Sequence, residues 1–175
     1  MTEEEAISGD IRYHYGLLDL SKLTSIDTEL TMPKEVGGDL FLGDLKSIDT
    51  KYIMPEKVGG GLYLDNLRSI DTKCTMPKEV GGILSLRGLT SIKTKFTLPE
   101  VVGGPLNFLN LESIDTDLTM PEVVGGDLYL NNLTSTQGIT NWPVKIIGTV
   151  KINTALPKNE KVEMEKRYPG KVEYR

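Results

Sequence analysis

The sequence predicts an all-β fold, a right-handed parallel β-solenoid of about eight rungs finished by a short C-terminal capping helix. Three observations predict it. Gly-Gly recurs at 37–38, 59–60, 81–82, 103–104 and 125–126, while proline stands at 33, 55, 77, 99, 121 and 143. Both ladders therefore step by 22 residues, the kind of fixed period that marks a repeat architecture. After each glycine pair leucine alternates with other residues, as in Leu62-Tyr63-Leu64, which is the period of a half-buried strand. One such unit has a single apolar face and can bury it only against a neighbouring copy.

Taken in order, residues 1–15 read as an N-terminal cap, with Glu3-Glu4-Glu5 and a polar strand around Ile11–Tyr15. Residues 16–157 carry the repeat, with the leucine pairs at 18 and 20, 40 and 42, and so on through 128 and 130. The same register extends to Val150 and Ile152 and then to Val172 and Tyr174, giving eight strand slots. A second extended stretch follows each leucine strand, since Ile70, Thr72, Cys74 and Met76 fall two apart. Proline closes that stretch, and Gly-Gly turns the chain sharply back through glycine's conformational freedom. Stacked rungs pair in parallel about 4.8 Å apart, and crossovers between parallel strands are right-handed. Residues 158–175 close the far end. Lys158 to Arg167 is rich in helix formers, Val162, Met164 and Tyr168 supply an apolar side, and Pro169-Gly170 stops it. Open solenoid ends are bare strand edges, so a cap at each end is expected.

Built from one repeat, the 175 residues form a single domain. The only cysteine, Cys74, falls in an apolar column and reads as core. No apolar run reaches the roughly 18 residues of a membrane span, and the start lacks a secretory layout, so a cytoplasmic protein is expected. The net charge of −5 is uneven: −6 over residues 1–58, neutral over 59–80, +2 over 81–104, −5 over 105–138 and +4 over 139–175. Zones of alternating sign bear on partner orientation. Without a continuous basic stripe, nucleic acid is not an expected partner.

Four features compete for a functional role. The column Asp27, Asp49, Asp71 and Asp115 could suggest a calcium file, but Lys93 interrupts it and Gln137 ends it. Turn capping by the side chains is the simpler reading. The threonines at 28, 50, 72, 94 and 116 read as hydrogen-bonded edges between rungs rather than an ice-binding face, because the second file is three residues away and broken by Ile53. The outward positions of the leucine strand, Asp19, Phe41, Tyr63, Ser85, Asn107, Tyr129 and Lys151, form one sheet face carrying three large rings. Exposed aromatics and arginine are what interface anchors look like, although tyrosine and phenylalanine suit strands anywhere. In the rung 81–104 Arg87 replaces Asp or Asn, Lys93 replaces Asp and Lys95 adds a third charge, a basic belt between acidic neighbours. One histidine (His14) and one cysteine make no nucleophile–base pair, and Gly-Gly lacks the lysine of a phosphate loop. No catalytic residue, metal site or cofactor is expected.

The rung Val-Gly-Gly-x-Leu-x-Leu-x-x-Leu-x-Ser-Ile, closed by Met-Pro or Leu-Pro, resembles leucine-rich repeats of bacterial and phage type over residues 16–157. Where that family places an asparagine, this chain has Leu45, Leu67, Leu89, Leu111 and Leu133. An asparagine ladder is thus not expected, which favours a straighter solenoid over a horseshoe. The resemblance implies protein binding on the strand face and transfers no catalytic residue. The expectation is a non-enzymatic module, an inhibitor or adaptor of bacterial or phage origin, gripping another protein through Phe41, Tyr63, Arg87 and Tyr129, with Lys93 and Lys95 in the flanking belt. The alternative is a solenoid that binds a small ligand, calcium or a glycan.

Overall fold

The computed structural model describes residues 13–25, 31–48, 53–70 and 74–175. The leucine strands form one eight-stranded parallel sheet, running from Leu18–Asp19 through Leu40–Phe41, Leu62–Tyr63, Leu84–Ser85, Leu106–Asn107, Leu128–Leu130 and Val150–Ile152 to Val172–Tyr174. All eight slots are occupied at a register of 22, with Leu40 beside Leu62 and Leu62 beside Leu84. The chain completes about seven turns rather than eight. The last strand is reached through the helix and the Pro169-Gly170 turn, not through a full rung.

A second sheet is one that the leucine alternation does not announce. The two residues before each glycine pair also form strands, and seven of them pair in parallel from Tyr13–His14 to Lys145–Ile146. Their inward residues, Val36, Val58, Val80, Val102, Val124 and Ile146, are all buried. Proline therefore does not end the rung. It precedes this valine strand. The downstream stretch is two strands, a Ser-Ile strand such as Ser91–Ile92 and a threonine strand such as Phe96–Thr97. Each rung thus has four short sides around one core.

The core is a set of columns. Leu18, Leu40, Leu62, Leu84, Leu106, Leu128 and Val150 form one, all at 0% exposure, and Leu45, Leu67, Leu89, Leu111 and Leu133 form another at the first corner. Burying a leucine side chain contributes about 1.5–3 kcal/mol, so each rung adds enough to offset much of its own ordering. Cys74 is buried, as its column predicts.

The two corners of the leucine sheet are tight for different reasons. At the first, the amide of Leu67 donates to the carbonyl of Leu64 at 3.1 Å, and the other rungs repeat this turn. Two asparagines bond between rungs one residue before the leucine: Asn110 Nδ2 donates to Arg87 O at 2.9 Å and Asn66 Nδ2 to Gly43 O. Asp44 and Gly88 interrupt that file, so the two bonds stand apart and make no continuous ladder. At the glycine corner no described glycine has a positive φ except Gly170, so conformational freedom is not what selects Gly-Gly. Close stacking is. The amide of Gly81 donates to Val58 O and that of Gly82 to Gly60 O, both at 2.8 Å, and a Cβ on Gly81 would lie 2.1 Å from Gly59 O.

One rung departs from strict spacing. Leu118 faces Ile139 and Thr119 faces Asn141, so Thr140 is a bulge that restores register before Pro143. The helix α1 (Lys158–Arg167) then closes the end, with Met164 and the following Tyr168 buried. Val162, expected on the apolar side, is 47% exposed. What docks the helix instead is Glu160, 5% exposed, whose carboxylate accepts from Thr136 N, from Thr136 Oγ1 at 2.8 Å and from Ser135 Oγ at 3.0 Å. Tyr168 donates to Pro143 O at 2.7 Å, and Lys171 Nζ to Ile146 O. Side chains thus satisfy the backbone that an eighth full rung would have met. At the other end, Tyr13–His14 forms the expected polar strand. Residues 1–12, with the Glu3-Glu4-Glu5 segment, lie outside the described residues, as do Asp27, Asp49 and Asp71.

Candidate functional site

Each leucine strand turns its middle residue outward, so Asp19, Phe41, Tyr63, Ser85, Asn107, Tyr129, Lys151 and Glu173 share one face at rung spacing. The rings of Phe41 and Tyr63 stack with centroids 4.6 Å apart and planes 7° from parallel. They are half-buried against one another rather than free in solvent. Glycine at 61 makes this possible, because a Cβ there would lie 2.8 Å from the edge of the Tyr63 ring. The carboxylate of Asp39 accepts the Gly61 amide at 2.6 Å. Partial burial, and then the charges of Asp39 and Asp65, hold the Tyr63 phenol above its ordinary range.

Beyond Tyr63 the face drops. Ser85 is 2% exposed and donates to Asp65, which also pairs with Arg87 at 3.3 Å. Asn107 next to it is half-buried, its side-chain oxygen accepting the Leu109 amide at 3.0 Å. The face rises again at Tyr129. Lys151 Nζ sits 4.6 Å from the Tyr129 ring centroid and 2.6 Å from Asp127 Oδ2. Asp127 Oδ1 also accepts the Thr149 amide at 2.9 Å. The Lys151 hydrogen bond and that backbone amide pull the Asp127 carboxyl down to about 2, and the same bond to Asp127 raises the Lys151 ammonium. The result is two aromatic ridges separated by a polar saddle, three rungs or roughly 14 Å from Tyr63 to Tyr129. The rings are held in place before any partner arrives, which lowers the ordering cost of contact.

Phe41, Tyr63 and Tyr129 therefore share the face assigned to them. The basic residues are placed otherwise. Arg87 is on the corner turn beside Asp65, and Lys93 and Lys95 lie between the Ser91–Ile92 and Phe96–Thr97 strands. Lys93 lines a groove with Arg68, Ile70 and Phe96, whereas Lys95 lines another with Met76 and Leu98. The three sit around the circumference of one rung and form no common patch. No ion pair joins Lys93 to Asp115. Thr94 donates to Ile70 O at 2.8 Å, a bond between rungs of the kind expected for the threonine file. The Asp127–Lys151 pair escaped sequence reasoning because its partners are 24 residues apart, a diagonal across the repeat. Among the described residues no group of histidine, cysteine and carboxylate side chains could hold a metal ion, and no helix is long and apolar enough to cross a membrane.

The fold defines the class: a repeat protein built as a parallel β-solenoid on a 22-residue rung, consistent with a leucine-rich-repeat-like organisation. No family model matches the chain, and neither a curated protein nor a solved structure matches it.

Proposed function

We propose that the chain is a non-enzymatic protein-binding module that engages its partner across the outward face of the leucine sheet. The observation that carries this reading is the pre-stacked Phe41–Tyr63 pair, facing Tyr129 across a polar saddle. Large, immobilised rings beside hydrogen-bonding groups are the composition of interface anchors. The resemblance to bacterial and phage leucine-rich repeats favours the same face, and an inhibitor or adaptor acting in the cytoplasm fits a module of this kind. Arg87 would contact the edge of the footprint, while Lys93 and Lys95 would steer approach.

The test is affinity capture from the native host with the wild-type chain and with a Phe41→Ala, Tyr63→Ala, Tyr129→Ala variant in parallel. The reading expects a protein held by the wild type and lost by the folded variant. A partner retained equally by both would place the contact elsewhere.

A further inference from the structure

Where the threonine strands meet the valine strands, the last three rungs leave a groove of about 370 Å³, lined by Thr97, Thr119 and Asn141 on one wall and Glu100, Glu122 and Val144 on the other. Its floor is Leu98, Met120, Pro121 and Trp142. Three features set this stretch apart from the rest of the same corner. Upstream, the wall alternates in sign as Lys34, Glu56, Lys78 and Glu100, and the neighbouring file alternates in the opposite sense as Glu35, Lys57 and Glu79. There the Lys57–Glu79 pair closes at 2.9 Å.

At Glu122 the alternation stops. Two exposed carboxylates follow one another at rung spacing, and the file beside them changes to Val101 and Val123. None of the described side chains pairs with either carboxylate. Finally, the methionine and leucine column of the floor ends in Trp142, half-buried, its ring 6.2 Å from that of Tyr168 at 63°. Val144 next to it is 87% exposed.

We propose that this groove is a second interaction site, which takes an arginine side chain from an extended segment of a partner protein. Charge complementarity names the occupant. Two neighbouring anions with no cation between them repel, and Glu100 and Glu122 are both exposed on this wall. A guanidinium is planar, donates in a fork suited to two carboxylates, and tolerates contact with an indole while its methylenes cover Met120 and Leu98. Lys78, one rung before Glu100, and Lys95, just ahead of the Phe96–Thr97 strand, line the upstream end of the same corner, so a cation is directed toward Glu100 and Glu122 and away from that end. The site is separate from the leucine-sheet face and does not depend on the reading of that face.

Trp142 is the only tryptophan in the chain, so its emission reports this groove directly. The probe is the peptide acetyl-Ser-Val-Arg-Val-Ser-amide, with the same peptide carrying citrulline for arginine, and maltohexaose as a neutral glycan. The arginine peptide is expected to change Trp142 emission saturably, and the citrulline peptide to bind at least tenfold more weakly. Glu100→Gln with Glu122→Gln should weaken the arginine peptide by at least tenfold at unchanged melting temperature. Ionic strength of about 1 M, where screening acts within roughly 3 Å, should release it. The Phe41→Ala, Tyr63→Ala, Tyr129→Ala variant should bind the peptide as the wild type does. Equal binding of the arginine and citrulline peptides, no response to the arginine peptide, or a saturable response to maltohexaose alone overturns the proposal. The comparison of peptides on the wild-type chain decides it even if the double variant misfolds.

Discussion

The ring of Tyr63 lies 4.6 Å from that of Phe41 and occupies the space that a side chain at position 61 would fill. Two rungs therefore share one aromatic ridge, held from beneath by backbone pairing and from the side by a missing Cβ. A double-mutant cycle with Phe41→Leu and Tyr63→Leu should return a coupling of about 0.5–1.5 kcal/mol in urea unfolding, the usual worth of such a pair beyond its buried area. Additive effects would mean that the rings do not stack in solution.

The glycine corner makes a contrasting pair of predictions. A Cβ at Gly81 would press to 2.1 Å on the carbonyl of Gly59, whereas at Gly43 the nearest atom is 3.8 Å away. Gly81→Ala should lower stability by about 3 kcal/mol or prevent folding, since backbone must shift through successive rungs. Gly43→Ala should be neutral or stabilising by up to about 1 kcal/mol, through reduced freedom of the unfolded chain. Chemical denaturation of the two variants checks both.

Removing the buried carboxylate of Glu160 leaves the Thr136 amide and two hydroxyls without their acceptor. Glu160→Ala should cost about 3 kcal/mol and release the helix before the rungs unfold. Hydrogen exchange would show lost protection over Lys158–Arg167 with the leucine strands still protected.

Acid should act at the Asp127–Lys151 pair. The folded carboxyl titrates at about 2 against an ordinary 3.8, so its contribution is complete above about pH 4 and disappears as pH falls toward 2. The Asp127 side chain is 28% exposed, and after solvent screening the contribution is on the order of 1 kcal/mol. Asp127→Asn should flatten that part of a stability–pH curve and lower the plateau above it.

Alkali should act at the cap. Burial pushes the Tyr168 phenol up to about 12 from an ordinary 10.0, so the folded state favours the neutral ring. Stability from this residue is present below about pH 10 and falls as pH rises toward 12. Tyr168→Phe should remove that alkaline loss while costing about 1 kcal/mol at neutral pH for the bond to Pro143.

Much of the architecture was legible because a 22-residue period places like residues in columns. The leucine strands and the degenerate pair Val172 and Tyr174 follow from spacing alone, and the bounds of the helix follow from its helix formers and the Pro169-Gly170 stop. The valine sheet did not, because Glu-Val or Lys-Val is too short to show alternation and acquires its strand character only by pairing with the next rung. Gly-Gly taken alone suggests a turn device, yet no described Gly-Gly residue has a positive φ and the constraint is the carbonyl one rung away, which no single rung reveals. Among the site residues, Phe41, Tyr63 and Tyr129 could be placed on one face by parity. Their support could not: the buried Ser85, the Asp127–Lys151 diagonal and the Trp142 groove depend on distances between rungs, where 20, 22 and 24 residues of separation are all neighbours.

Methyl–methyl nuclear Overhauser contacts among leucines 22 apart test the stack most directly. Leu62 should show contacts to both Leu40 and Leu84, with the Leu62 amide protected by its bond to Ile83 O. A Leu62 without contacts to either leucine, in a protein that is otherwise folded, would contradict the solenoid and every surface built on it.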